Sequence, residues 1–168
     1  MGRMVGLLGA LALLGGRIGE AHGRENAESC RRFVTEYYAW YVKATENSGY
    51  EQALKRRPSS FSAELIRRLK QDIAAQAKTP GEISGLDFDP FLNTQDVAQK
   101  YVAGKVTRIG KRFRAEVSAL WNGKKDPKPA VIPELVFERG RWVFVNFHYN
   151  GTANLLKILA DLRKERRK

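Results

Sequence analysis

A chain of 168 residues, 43% hydrophobic and 29% charged, has the composition of one globular domain; wholesale disorder is excluded. A domain of this size buries roughly two-thirds of its unfolded surface, enough for a core without metal or disulfide staples. The formal net charge of +12 favours anionic partners such as lipid, cell-wall polymer, acidic protein or nucleic acid.

Residues 1–23 read as a cleavable signal peptide. Arg3 supplies a positive start, Met4 to Gly16 is an apolar and small-residue run, and Ala21-His22-Gly23 offers small residues at the cleavage positions. The run is shorter than the roughly 20 residues a helix needs to cross a bilayer. The competing readings are an uncleaved anchor and a buried N-terminal helix, and Gly6, Gly9, Gly15 and Gly16 argue against the latter. Export to the periplasm or the medium is therefore expected, which makes specific nucleic-acid recognition the least expected contact. Residues 24–168 then form a single domain.

Cys30 is the only cysteine, so no disulfide closes within the chain. It falls where the first helix is expected to begin and reads as a small packed residue. Pairing between chains is the alternative in an oxidising compartment. From about Glu28 to Glu46 apolar residues recur at helical spacing through Phe33, Val34, Tyr37, Tyr38, Tyr41 and Ala44. A second helix is predicted from Ala63 to Ala77, with Ser62 as cap and Leu65, Ile66, Leu69, Ile73 and Ala77 as its buried stripe.

The period then changes to two. Residues 101–108, 112–121, 130–138 and 141–149 predict four strands with hairpin-length connections, hence an antiparallel meander. Strict alternation in the fourth strand puts Val143, Val145, Phe147 and Tyr149 on one face and Trp142, Phe144, Asn146 and His148 on the other. A last helix, Ala153 to Lys164, buries Leu155, Leu156, Leu159 and Leu162 and frays into a basic end. The predicted fold class is α+β: two N-terminal helices packed on a four-stranded antiparallel meander sheet, with a C-terminal helix.

These elements resemble a known family. The aromatic helix FVTEYYAWYVKA (Phe33–Ala44), the start Ser62-x-Glu64-Leu65, the stretch DFDPFLNTQD (Asp87–Asp96) and a strand carrying Trp142-Val143-Phe144 are similar to the bacterial domain-of-unknown-function 3828 family. The resemblance covers about residues 30–149. It implies a cystatin-like or nuclear-transport-factor-2-like fold and an extracytoplasmic setting, and it assigns no catalytic residue.

The Asp87–Asp96 segment crowds Asp87, Asp89, Asn93, Gln95 and Asp96 into ten residues. Hard cations take such oxygens, but the spacing lacks the Gly and terminal Glu of a calcium loop. A loop tied by side-chain-to-backbone bonds is the favoured reading, and no metal or cofactor is expected. His148, the only histidine left after signal cleavage, is a weak acid–base candidate with Asp89 or Asp96 as partner. Tyr37, Trp40 and Tyr41, with Asp87, Asn93 and Gln95, are candidates for a ligand site, although aromatics at helical spacing are more often core. Lys105, Arg108, Lys111, Arg112 and Arg114 cluster at the first hairpin and predict weak contact with an anionic surface, without a nucleic-acid motif. Asn150-Gly151-Thr152 matches a glycosylation sequon but reads here as a turn and helix cap. Two functions are compatible with these residues: an exported binding or interaction module whose partner is an envelope protein or small ligand, and a small acid–base enzyme built on His148.

Overall fold

A computed structural model describes residues 18–44, 49–81 and 84–167. The elements in chain order are α1 (Ile18–Ala44), α2 (Glu51–Arg56), a 3-10 turn (Pro58–Ser60), α3 (Ala63–Gln76), β1 (Lys100–Ile109), β2 (Arg112–Trp121), β3 (Lys124–Lys125), β4 (Ile132–Glu138), β5 (Arg141–His148) and α4 (Leu155–Glu165). The class is α+β, with every strand pair antiparallel and the order β1-β2-β4-β5.

Two elements were not expected. β3 pairs with the end of β2 because Asn122 (φ 49°) and Gly123 (φ 79°) both take left-handed backbone. That is the two-residue turn whose twist suits a hairpin. Helix α2 precedes α3 and, with the 3-10 turn, brings Phe61 alongside β5, where the Ser62 amide donates to the Phe144 carbonyl (2.9 Å). The cap of α3 is the expected one: Ser62 Oγ accepts from the Leu65 amide.

Helix α1 begins ten residues before the predicted start, so the cleavage positions Ala21–Gly23 lie on it; residues 1–17 of the predicted signal lie outside the described residues. The apolar stripe marks only the part of a helix that meets a core, and α1 continues beyond it. Its stripe crosses the inner face of the sheet over β1 and β2. Tyr38 stacks on Tyr101, Tyr37 meets Phe144 edge-on, and the Trp142 indole N–H donates to Ser29 Oγ. Cys30 is fully buried in this layer. Burial pushes its thiol up to about 12, which suppresses the thiolate that cross-linking needs.

The predicted alternation of β5 is corrected by a β-bulge. Glu134 pairs with Asn146 and Leu135 with Phe144, which leaves Val145 as an extra residue. The bulge reverses the phase, so Trp142, Phe144 and Phe147 share the inner face while Val143, Asn146 and His148 take the outer one. Phe144 and Phe147 are in ring contact at 5.2 Å. In β2 Phe113, Ala115, Val117 and Ala119 are buried at every second position, Ser118 is buried as well, and Trp121 at the strand end is exposed. Pro133 lies in β4, between β2 and β5, and lacks an amide to donate. The β2–β4 ladder has only Phe113–Leu135 and Arg114–Glu134 on one side of the gap and an isolated Val117–Val131 bridge on the other.

The buried stripe of α3 is Leu65, Leu69 and Asp72; Ile66 and Ile73 are half-buried and Ala77 is exposed. α4 is capped by Asn154, whose side chain accepts from the Lys157 amide. Its basic end does not simply fray. Arg166 Nε donates to the Ser84 carbonyl at 2.6 Å, and the same guanidinium pairs with the buried carboxylate of Asp72.

Candidate functional site

The Asp87–Asp96 segment is a tied loop. Asp89 Oδ1 accepts from the amides of Phe91 (2.8 Å) and Leu92 (3.1 Å), and Asn93 takes a left-handed backbone (φ 56°). This turn drives Phe91 and Leu92 fully into the core. Three tyrosines hold it there. Tyr38 donates to the Phe91 carbonyl (2.8 Å), Tyr149 to the Pro90 carbonyl (2.9 Å) and Tyr41 to Asp89 Oδ2 (2.6 Å). Gln95 donates to the Asp87 carbonyl, and Asn93 to the Ala130 carbonyl of the β3–β4 connection. Burial pushes the Asp89 carboxyl up, and its hydrogen bonds reverse this only in part, so it stays above the usual range. Its oxygens are already engaged by protein donors. Among the described residues no three His, Cys, Asp or Glu side chains gather as a metal would need.

The aromatic candidates separate. Tyr37 and Tyr41 stack on each other in the core (5.5 Å between centroids) and line no open cleft. Trp40 is half-buried, with the Arg57 guanidinium lying over its ring at 4.2 Å.

His148 does not meet Asp89 or Asp96. Asp89 faces the helix side, Asp96 is exposed, and the bulge sends His148 to the outer face. Its partner is Glu134, across β4, with Nε2 3.0 Å from Oε2. Arg112 and Arg114 of β2 grip the same carboxylate, Arg114 at 2.8 Å. Burial pushes the Glu134 carboxyl up, but the bonds from Arg112, Arg114 and His148 outweigh it and hold it below its ordinary value. Burial and the charge of Arg114 pull His148 below its own ordinary value, against Glu134. His148 is therefore neutral near pH 7, and the acceptor-only carboxylate places its proton on Nε2. Glu134 was legible as an acid in the middle of an apolar strand, IPELVFE, but its partners required the strand register.

Next to the tied loop lies an open cleft of about 340 Å³. Its floor is Tyr101 and Leu92, its rim Asn93, Asp126 and Asn150, and the indole of Trp121 stands beside it 38% exposed. Of the residues singled out in the sequence for ligand contact, Asn93 alone lines this cleft; Asp87 and Gln95 only close the loop behind it. Trp121 ends the strand predicted over 112–121, and Asp126 and Asn150 fall in the connections between predicted elements, so no sequence pattern marks the three as neighbours.

Comparison with protein-family models, curated proteins and solved structures finds no match for this chain.

Proposed function

We propose that the chain is an exported binding module, periplasmic or secreted after loss of residues 1–23, that holds a small polar ligand in the Trp121 cleft. The observation that carries this reading is the tied loop. Four side chains tie a segment with no regular secondary structure to the rest of the fold and Gln95 closes it on itself, and the loop's Asn93–Thr94 edge borders an open cleft with a partly exposed tryptophan. Rigid loops that present polar groups beside an aromatic surface suit recognition. The resemblance to the domain-of-unknown-function 3828 family and the cystatin-like arrangement belong to the same proposal.

Trp121 reports on the cleft directly. Tryptophan fluorescence of the mature domain, titrated with glucose and N-acetylglucosamine oligomers, should saturate, and Trp121→Ala or Asn150→Ala should abolish the response without lowering the melting temperature. No saturable response to either series in the parent would refute the cleft as a site for such ligands. Export is checked separately, by mass spectrometry of the released protein with Arg24 as the expected N-terminus.

A second reading, an acid–base enzyme, is favoured by the His148–Glu134 contact, because an oriented neutral imidazole is what a general base requires. Ester or phosphoester turnover lost in His148→Gln but retained in Trp121→Ala would establish it in place of the first.

A further inference from the structure

We infer that the cleft between α3 and α4 is a binding site for a phosphate ester. It lies apart from the Trp121 cleft, so neither proposal depends on the other. The cleft has a volume of about 400 Å³ and is lined by five cationic side chains, Arg68, Lys78, Arg163, Arg166 and Arg167, against one carboxylate, Asp72. That carboxylate is already satisfied. It is 3% exposed, accepts from the Leu86 amide at 3.2 Å and pairs with Arg166.

Arg166 is the fixed centre of the site. Nε is committed to Ser84 and one terminal nitrogen to Asp72. A guanidinium carries five N–H donors, so most remain for a ligand, and their direction is set before anything binds. The anchoring is specific to this backbone. A Cβ at Gly85 would lie 3.0 Å from Asp72 Oδ2, so a larger residue there would press on the carboxylate and glycine gives it room. Arg163, Arg167 and Lys78 are exposed around this centre.

The charge balance sets the ligand. Asp72 neutralises Arg166, and Glu64 is shared by Arg68 at 2.8 Å and the exposed Arg67 at 2.6 Å, so it offsets Arg68 only in part. Lys78, Arg163 and Arg167 form no ion pair among the described residues. The C-terminal ends of α3 and α4 each add roughly half a negative charge nearby. About two to three positive charges remain uncompensated, enough to balance a phosphate monoester, whose charge near pH 7 is about −1.5 to −2. A forked guanidinium held at the base suits tetrahedral phosphate oxygens better than a lone carboxylate. The same group reaches the cleft either as a soluble phosphate ester or as a lipid headgroup.

Glycerol 3-phosphate and vesicles of phosphatidic acid in phosphatidylcholine carry this one group in the two settings. Binding is measured by calorimetry and by vesicle sedimentation at about 0.15 M salt, where the screening length is roughly 8 Å and scattered surface charge contributes little. The parent should bind at least one of them, and the one bound identifies the source. Arg163→Gln with Arg167→Gln, which leaves the Arg166–Asp72 pair intact, should weaken binding at least tenfold. Arg108→Gln with Lys111→Gln removes the same charge from the β1–β2 hairpin and should weaken it less than threefold. Equal losses in the two double variants would overturn the site in favour of diffuse attraction. Failure of the parent to bind either probe would overturn it outright. Both double variants are to melt within a few degrees of the parent, so that a loss is read as lost binding.

Discussion

Replacing Tyr37, Tyr38 and Tyr41 in turn by phenylalanine tests whether the loop is held by the hydroxyls or by the rings. All three lie within two turns of α1, are essentially fully buried, and keep their ring packing in the variant. They differ in what the hydroxyl meets. Tyr38 donates to the Phe91 carbonyl at 2.8 Å, and its loss strands a buried acceptor, which costs about 1–2 kcal/mol. Tyr41 donates to Asp89 at 2.6 Å, and a bond to a carboxylate is worth more, about 2 kcal/mol. The Tyr37 hydroxyl is buried with no hydrogen-bond partner among the described residues. Removing it relieves a desolvated group, so Tyr37→Phe should be neutral or stabilising by up to about 1 kcal/mol. For a domain of this size 1 kcal/mol moves the melting temperature by roughly 3 °C. Calorimetry should therefore show Tyr38→Phe and Tyr41→Phe melting about 3–6 °C low and Tyr37→Phe level with the parent or above it. If Tyr37→Phe falls as far as Tyr38→Phe, the ordering rests on the rings and the hydrogen-bond account of the loop is wrong.

Arg166→Ala leaves the Asp72 carboxylate buried against one amide and should cost about 2–4 kcal/mol; hydrogen exchange should accelerate at residues 84–86 and in the last turn of α4, and unchanged protection there would contradict the anchor. The His148 pKa is depressed in the folded state, so its contribution to stability is present above about pH 6.5 and is lost as the pH falls from there through the folded value. Urea melts at pH 7.5 and 5 should differ for the parent and converge for His148→Gln. Glu134 is also depressed, and the stability it adds is present above about pH 4.3 and lost below it, so Glu134→Gln should flatten the acid limb. Asp89 has the opposite sign: its raised carboxyl favours the fold most at low pH and loses that contribution as the pH rises through the folded value. Val145→Ala should cost no more than about 1 kcal/mol, because the half-buried side chain can be trimmed. Deleting Val145 should keep a cooperative unfolding transition, since removing the extra residue restores strict alternation with Phe144 and Phe147 inward and His148 outward; loss of cooperative unfolding would mean that Val145 is not the extra residue.

β1, β2, β4, β5, α3 and α4 were legible because each follows a simple period over most of its length and ends at a turn residue or cap, as Ser62 does for α3. The errors have physical causes. Alternation in β5 fails at Val145 because a bulge adds a residue that a pattern of two cannot count. The tied loop was readable from Asp89 and Pro90 as a turn, but its three tyrosine donors lie 48 to 59 residues away along the chain. His148 stands out as a lone histidine, but the Asp87–Asp96 segment expected to supply its partner packs on the helix side, and the strand register places Glu134 beside it instead. Asp72 carried a usable signal that was missed. It stands three residues after Leu69 and seven after Leu65, on the buried stripe, where an acid implies a cation brought from elsewhere in the fold.

The docking of α1 on the sheet fixes an order of events during synthesis. The helix is complete by residue 44, yet the groups that bury its aromatic stripe or accept from its hydroxyls lie at residues 61, 89–91, 101 and 144. The sheet itself assembles from hairpins close in sequence, whereas its contact with α1 closes loops of tens of residues and is entropically slower. Until β5 has emerged, Phe33, Tyr37, Tyr38 and Tyr41 have no complete surface to cover them. A nascent chain thus carries an adhesive aromatic face for most of its elongation, the interval in which a holding chaperone would engage it.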